Sequence, residues 1–179
     1  MITQDAILSS PVLLGALTVL VILGYHYQRG MSYREFMAAH TAKRILFPIL
    51  NREAKKRGRA LVHVKGYNDP ELVRTVPQSP RQVARRLMGA GFSPHLIASL
   101  KARDHPQNGR EYAHSQFVTT YDGNQTEVYL FADGDGTDIY CHVEPSATSP
   151  VEHLRGVQHD GDVDGKFAEA WNRSKGDGR

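Results

Sequence analysis

Acidic side chains at alternate positions are the first candidates for chemistry in this chain. Asp160, Asp162 and Asp164 are separated by single residues and followed by Gly165, which matches the first half of a calcium-binding loop. Such a loop also needs a bidentate glutamate at its twelfth position, where this chain has Trp171. The pattern thus predicts calcium ligands only in part, and an acidic, solvated loop is the alternative. No other cofactor is expected.

Histidines and a single cysteine offer further ligands and a nucleophile, but their spacing forms no catalytic motif. No pair has the His-Glu-x-x-His spacing of a metalloprotease helix. Cys141 and His142 are neighbours in a predicted strand, so their side chains point to opposite faces and cannot react as a pair. One cysteine also excludes an internal disulfide framework. We therefore predict that the chain is not an enzyme and that Cys141 is a small buried residue.

Basic residues that could contact nucleic acid surround two predicted short helices. Ser79-Pro80-Arg81-Gln82 has the capping pattern of a helix start, and Ser93-Pro94 opens a second predicted helix that ends at Arg103. The predicted element order from Ser32 to Ala132 resembles a winged helix, in which that second helix would enter the major groove. This resemblance implies DNA contacts from six residues: Arg81, Arg85, Arg86, His95, Lys101 and Arg103. The second helix carries no Asn or Gln for reading bases.

A strongly basic amphipathic helix is predicted from Ser32 to Arg59. Ser32 and Glu35 have the spacing of a capping box, and apolar residues then recur every three or four positions from Phe36 to Leu50. Pro48 is expected to kink or divide this helix. The apolar stripe lies either in lipid at a membrane surface or on the domain core. We predict that seven cations bind acidic headgroups or another polyanion: Lys43, Arg44, Arg52, Lys55, Lys56, Arg57 and Arg59.

An apolar stretch from Ala6 to Tyr27 dominates the N-terminal region. Nothing from Ala6 to Gln28 is charged, apart from any protonated His26, and a helix of these 23 positions would be about 34 Å long. A bilayer has a hydrocarbon core of about 30 Å, so we predict a transmembrane helix. A cleaved signal peptide and a buried core helix are the alternatives. Basic residues follow the stretch and none precede it, which predicts an outside N-terminus and an inside C-terminal domain.

Charge divides the chain into two unlike halves. Residues 1–103 contain 16 Lys/Arg and 5 Asp/Glu, a net charge of +11, whereas residues 104–179 contain 6 Lys/Arg and 14 Asp/Glu, a net charge of −8. One interpretation is two solvated faces. The other is a basic half held at acidic lipid or nucleic acid, with the acidic half turned away.

The remaining patterns predict a small α+β domain. Ala60 to Lys65 alternates like a strand, whereas Gly66 to Gln78 is predicted as a loop. Three further strands form a predicted antiparallel meander: Glu111 to Thr120, Gln125 to Ala132 and Thr137 to Val143. The expected fold is therefore a transmembrane helix, a basic amphipathic helix, and a domain with a helical hairpin and a sheet of 3–4 antiparallel strands.

Four regions follow from these predictions. Residues 1–28 are the N-terminal tail and span, 29–59 the basic helix, 60–156 the α+β domain, and 157–179 an acidic, partly disordered tail. We expect a single-pass membrane protein with a structural or interaction role. Its expected partners are the lipid bilayer, acidic headgroups and a protein in an assembly such as a virion. A membrane-tethered winged-helix DNA-binding protein is the alternative.

Overall fold

The computed structural model describes residues 24, 27, 30–56, 58, 62–66, 69–96, 100–107, 109–121, 123–146 and 163–176. These residues form three helices, α1 (Tyr33–Lys55), α2 (Pro80–Gly89) and α3 (Val163–Gly176). They also form eight strands: β1 (Val62–Lys65), β2 (Leu72–Val76), β3 (Ser93–Pro94), β4 (Leu100–His105), β5 (Gly109–Tyr112), β6 (Ser115–Tyr121), β7 (Asn124–Asp133) and β8 (Gly136–Pro145). The α+β prediction is confirmed.

A five-stranded antiparallel sheet, in the order β2-β8-β7-β6-β3, is the centre of the domain. Its two longest strands pair along their whole length, from Asn124 opposite Pro145 to Asp133 opposite Gly136. Gly134 has a φ of 54° in the turn between them, a conformation that glycine adopts without strain. The predicted meander is β6-β7-β8 and is confirmed, although the predicted first strand, Glu111 to Thr120, also included the end of β5 in the other sheet.

A second, smaller sheet has the order β1-β4-β5. β1 runs parallel to β4, with Lys65 opposite Arg103, and β5 returns antiparallel to β4. Side chains from this sheet reach the large sheet, where Lys101 lies over the ring of Tyr129 and Arg103 lies over the ring of Phe131. The large sheet therefore has the small sheet on one of its faces.

Apolar side chains and three helices cover the opposite face of the large sheet. Phe36 of α1 contacts Phe117 of β6 with ring centroids 5.6 Å apart, and Phe92 and Phe167 meet at 6.4 Å. The apolar side chains of this core are almost completely buried. They include Val83, Leu87, Val128, Leu130, Ile139 and Cys141. Burial of Cys141 agrees with the prediction.

The predicted helix from Ser93 to Arg103 is wrong. Ser93–Pro94 is a two-residue strand paired with β6, and Leu100–His105 is β4. The Ser-Pro pattern is a local signal, whereas strand β4 depends on pairing with β1 and β5, which lie far away or later in the chain. Because this helix is absent, the described structure has neither the predicted helical hairpin nor the element order of a winged helix.

Other boundaries also differ from prediction. The predicted loop from Gly66 to Gln78 contains β2, an edge strand of a sheet that has five strands and not three or four. α1 has its predicted capping box, because the Ser32 backbone N–H donates to Glu35 Oε2 at 2.8 Å, but it is not divided at Pro48. α2 has its predicted box as well, with Ser79 N donating to Gln82 Oε1 at 2.9 Å.

The predicted span lies outside the described residues, apart from positions 24 and 27. Across the part of the chain that the structure describes, no helix is long and apolar enough to cross a bilayer. The segment 147–162 is also outside the described residues. α3 begins directly after it and lies within the region 157–179 that was predicted as an acidic, partly disordered tail.

Candidate functional site

The first half of α1 packs onto the domain. Phe36 is fully buried against the sheet, and the buried ring of His40 contacts the backbone oxygen of Ala113 through Nε2 at 3.0 Å. Burial lowers the pKa of His40 to about 4, so a neutral imidazole occupies this position at physiological pH. These contacts fix the helix against the large sheet.

The second half of α1 exposes large apolar side chains. Ile45, Leu46, Ile49 and Leu50 are 67%, 56%, 53% and 50% exposed, respectively. Ile45 and Ile49 lie on the side of the helix opposite Phe36, whereas Leu46 and Leu50 lie between these two sides. The predicted single stripe is therefore divided, with its beginning in the core and its later residues in solvent.

Cations surround this exposed side. Arg52, Lys55 and Lys56 are exposed and follow the apolar residues along α1, whereas Arg44 is half-buried just before them. Glu53 pairs with Lys56 at 2.8 Å and lies 3.7 Å from Arg52. We call the set of four apolar residues and four cations the apolar–basic face of α1: Arg44, Ile45, Leu46, Ile49, Leu50, Arg52, Lys55 and Lys56.

Of the other predicted headgroup-binding cations, only Lys43 is described, and it is not part of this face. Lys43 turns inward, where its Nζ donates to the backbone oxygen of Leu96 at 2.5 Å. Burial lowers the pKa of Lys43 to about 8, while the charge of Glu127 opposes that shift. The side chains of Arg57 and Arg59 lie outside the described residues.

The predicted nucleic-acid residues separate into two groups. Arg81, Arg85 and Arg86 are exposed on α2. His95, Lys101 and Arg103 are buried. The segment that was predicted as an exposed recognition helix contains strands β3 and β4 instead. These three residues therefore expose almost no surface that could contact a duplex.

The predicted calcium residues are not brought together in the described structure. Asp160 and Asp162 lie outside the described residues. Asp164 is in the first turn of α3 and pairs with Arg74 Nη2 at 2.5 Å. A surface ion pair thus accounts for Asp164.

A group of buried polar side chains between the two sheets was not predicted. It lies on the face of β7 and β8 toward the small sheet, and we call it the buried polar layer: Lys65, Glu71, His95, Lys101, Gln125, Glu127, Tyr129, His142 and Glu144. The strand register explains its compactness, because Gln125 is opposite Glu144 and Glu127 is opposite His142.

His142 is the centre of this layer. Its Nδ1 is 3.3 Å from Glu71 Oε2, and its Nε2 is 3.5 Å from Glu127 Oε2 and 3.6 Å from Glu144 Oε2. The Tyr129 hydroxyl donates to Glu127 Oε2 at 2.6 Å and lies 2.7 Å from His142 Nδ1. Three carboxylates and a phenol therefore converge on one imidazole.

Further hydrogen bonds and ion pairs connect other residues of the buried polar layer to these carboxylates. His95 Nδ1 is 3.0 Å from Glu127 Oε1, and Lys65 forms an ion pair with Glu71. Gln125 Nε2 donates to Glu127 at 2.9 Å and to Glu144 at 2.7 Å. The layer is a connected network with cations from the small sheet and carboxylates mainly from the large one.

The pKa directions agree with charged groups that stabilise one another. Burial acts to raise the pKa of Glu71, but hydrogen bonds from His142 and Lys65 outweigh it and lower the pKa to about 2. Burial also opposes the charge on Glu127, yet nearby His95 and His142 hold its pKa well below the usual range. For His142, burial is outweighed by Glu144, Glu71 and Glu127, so its pKa is raised.

Three members have the chemistry of metal ligands. One ligand atom from each of Glu127, His142 and Glu144 lies within 4.8 Å of the others. Lys65, Lys101 and the histidines already supply positive charge to the carboxylates, so ion pairing accounts for this geometry without a metal ion. All three residues are buried. We interpret the layer as structural.

The sequence does contain a signal for this layer. Polar residues alternate in Gln125-x-Glu127-x-Tyr129 and in Tyr140-x-His142-x-Glu144. Such alternation normally indicates a solvent-facing side of a strand, and only the small sheet, assembled from distant segments, turns that side inward.

Comparisons with known proteins give this chain no relatives. No family model matches the sequence, and searches of curated proteins and of solved structures found no significant match.

Proposed function

We propose that this chain is a single-pass, membrane-anchored structural or interaction protein whose domain docks on the acidic inner surface of a bilayer. The observation that supports this function is the apolar–basic face of α1, which combines four large exposed aliphatic side chains with four cations. The predicted transmembrane helix at residues 6–27 supplies the anchor. The proposed orientation has the N-terminus outside.

The physical argument depends on the combination of side chains. Burying one large aliphatic side chain stabilises a complex by about 1.5–3 kcal/mol, so four exposed together favour association with an apolar phase. A lysine or arginine near an acidic membrane surface adds about 1 kcal/mol. An interfacial helix needs both contributions, because its apolar side enters the acyl boundary while its cations stay at the headgroups.

The proposed role is non-enzymatic. The buried polar layer is enclosed between two sheets, and its charged groups form ion pairs with one another. The outer surfaces of the domain are then available to a protein partner in a membrane-containing assembly, which includes a virion as one case.

A fluorescent label can test the docking. Cys141 is buried, so a cysteine introduced as Leu46→Cys would be labelled selectively in the full chain reconstituted into vesicles. Exposed Val64→Cys on β1 is the matched control. In vesicles with acidic lipid, we expect the label at position 46 to be protected from a water-soluble quencher, and high salt to reduce that protection. The control label should stay accessible.

The docking proposal is contradicted if both labels are equally accessible in acidic vesicles. Protease protection on the same vesicles tests the orientation, because the domain should be cleaved only on the side that carries the basic flank of the span. Cleavage from the opposite side contradicts the proposed orientation.

Nucleic-acid binding is the second candidate, and the exposed arginines of α2 favour it. Arg81, Arg85 and Arg86 lie within one helix of ten residues that has no acidic residue. Retention of duplex DNA that falls steeply with salt, and that is lost in Arg81→Gln/Arg85→Gln, would support this function. Absence of binding near physiological salt would exclude it.

A further inference from the structure

A cleft lies between α2, α3 and the edge of the large sheet. Its volume is about 440 Å³, within the range of about 300–1,000 Å³ that is typical of sites for small ligands. Val83 and Ile139 contribute apolar surface, and Phe167 and Trp171 contribute aromatic surface. The cleft is on the helical side of the large sheet, away from the buried polar layer.

The aromatic residues form one continuous wall. The rings of Phe167 and Trp171 are 5.9 Å apart and are inclined at 38° to each other. Phe167 is buried, whereas Trp171 is half-buried and lines the cleft. A flat apolar group in the cleft can therefore pack against the indole, since aromatic rings favour offset or tilted contacts at such distances.

Two guanidinium groups from different elements also line this cleft. Arg74 of β2 pairs with Asp164 at 2.5 Å and lies 5.7 Å above the Phe167 ring. Arg86 of α2 is exposed, and among the described residues no carboxylate pairs with it. A guanidinium beside an apolar wall binds a carboxylate or phosphate through paired hydrogen bonds.

We propose that this cleft binds a small aryl anion, a flat apolar ring that carries a phosphate or carboxylate group. The ring packs on Trp171 and the anionic group pairs with Arg86, while Arg74 stays with Asp164 and lines the wall. The site needs both parts of the ligand, because inorganic phosphate alone has nothing to place against the aromatic wall. This site is independent of the proposed membrane docking.

The chain provides its own reporter for this site. Trp171 is the sole tryptophan in the sequence, so its fluorescence reports on the cleft alone. The test titrates naphthyl phosphate, naphthoate and inorganic phosphate into the full chain held in nonionic detergent. We expect a saturable change of tryptophan emission with at least one naphthyl compound, and an apparent affinity for inorganic phosphate at least tenfold weaker. The preferred head group then identifies phosphate or carboxylate as the natural anion.

Variants of one helix separate a specific site from general attraction of anions. Arg86→Gln should weaken binding of the preferred naphthyl compound about tenfold or more, which is the loss expected for one charge-assisted contact. Arg81→Gln and Arg85→Gln remove the same charge from the same helix outside the cleft and should change the affinity less than twofold. Circular dichroism of each variant confirms that α2 is folded.

Three results would overturn the proposal. The first is the absence of a saturable signal with both naphthyl compounds. The second is an unchanged affinity in Arg86→Gln, and the third is an equal loss in all three arginine variants, which would indicate only long-range attraction. If the chain binds a naphthyl compound but does not dock on vesicles, the cleft proposal is supported and the membrane proposal is contradicted.

Discussion

Glu127 illustrates how strongly one side chain can depend on its neighbours. Its carboxylate accepts hydrogen bonds from Tyr129 and Gln125, and it also pairs with His95. A buried carboxylate without such partners would become protonated, because the cost of desolvating its charge is large. Its partners His95, His142 and Lys101 act against this cost and lower the pKa of Glu127.

Replacing Glu127 by its isosteric amide should therefore strongly destabilise the folded protein. Glu127→Gln keeps the shape of the side chain but leaves His95 and His142 facing an uncharged group. We expect the free energy of unfolding to fall by about 3–5 kcal/mol. Denaturant unfolding measures this loss. The control is Glu53→Gln on α1, which removes an exposed pair with Lys56 and should cost about 0–1 kcal/mol. Similar losses in both variants would contradict the structural role of the layer.

His142 gives the layer a pH dependence whose sign can be derived. Its pKa is raised in the folded protein, so the folded state binds this proton more tightly than the unfolded state does. The stabilisation is complete below the unfolded pKa of about 6.5 and is lost as pH rises through the folded pKa. The groups that face this imidazole are Glu71 before β2, Glu127 and Tyr129 on β7, Glu144 on β8, and Lys101 on β4.

The corresponding measurement compares the protein with His142→Gln across pH. The difference in free energy of unfolding should be largest below about pH 6.5 and should shrink at higher pH. A pH-independent difference for His142→Gln would show that its charge does not contribute.

At the scale of elements, β4 shows why part of the fold could not be predicted. The stretch from Leu100 to Arg103 follows a Ser-Pro helix signal, and nothing within it favours a strand strongly. Its conformation depends on pairing with β1 and β5 and on Arg103, which pairs with Asp138 of β8 and with Glu111 at 3.1 Å. By contrast, the meander and the capped starts of α1 and α2 carry local signals, and these were predicted.

Arg103 is therefore expected to hold β4 on the large sheet. Arg103→Met leaves the buried carboxylate of Asp138 without its cation and should cost about 3–5 kcal/mol in denaturant unfolding. The double variant Arg103→Met/Asp138→Asn removes both charges and should recover part of that loss. The exposed Arg110→Met on β5 is the control, with an expected cost of about 0–1 kcal/mol. A double variant that is less stable than Arg103→Met would contradict this account.

The candidate sites were predicted only where one element carries them. The cations of α1 and the arginines of α2 follow from helical spacing, so the sequence predicts their exposed members. The cleft and the buried polar layer combine residues from several distant elements. Glu71 and Glu144, for example, are far apart in sequence, and their approach depends on the pairing of β2 with β8. Such long-range pairing has no signature in a single sequence.

For the whole molecule, the decisive feature is that the large sheet has two unlike faces. One packs against helices through apolar groups, whereas the other packs against the small sheet largely through charged and polar groups. Apolar contacts are nearly insensitive to pH, but ionic contacts weaken when carboxylates take up protons. The two interfaces should thus respond differently to acid.

Acid should loosen the small sheet before the helical side of the domain. The pKa of Glu71 is lowered from 4.5 to about 2, so its stabilisation is present above pH 4.5 and is lost as pH falls toward 2. Protonation of Glu71 then removes the counter-charge from Lys65 and one of the counter-charges that face His142. Amide hydrogen exchange, corrected for the intrinsic pH dependence, should show protection lost in β4 and β5 before β6 and α2. Equal loss in all four elements, or earlier loss in α2, would contradict the assignment of an ionic interface to the small sheet.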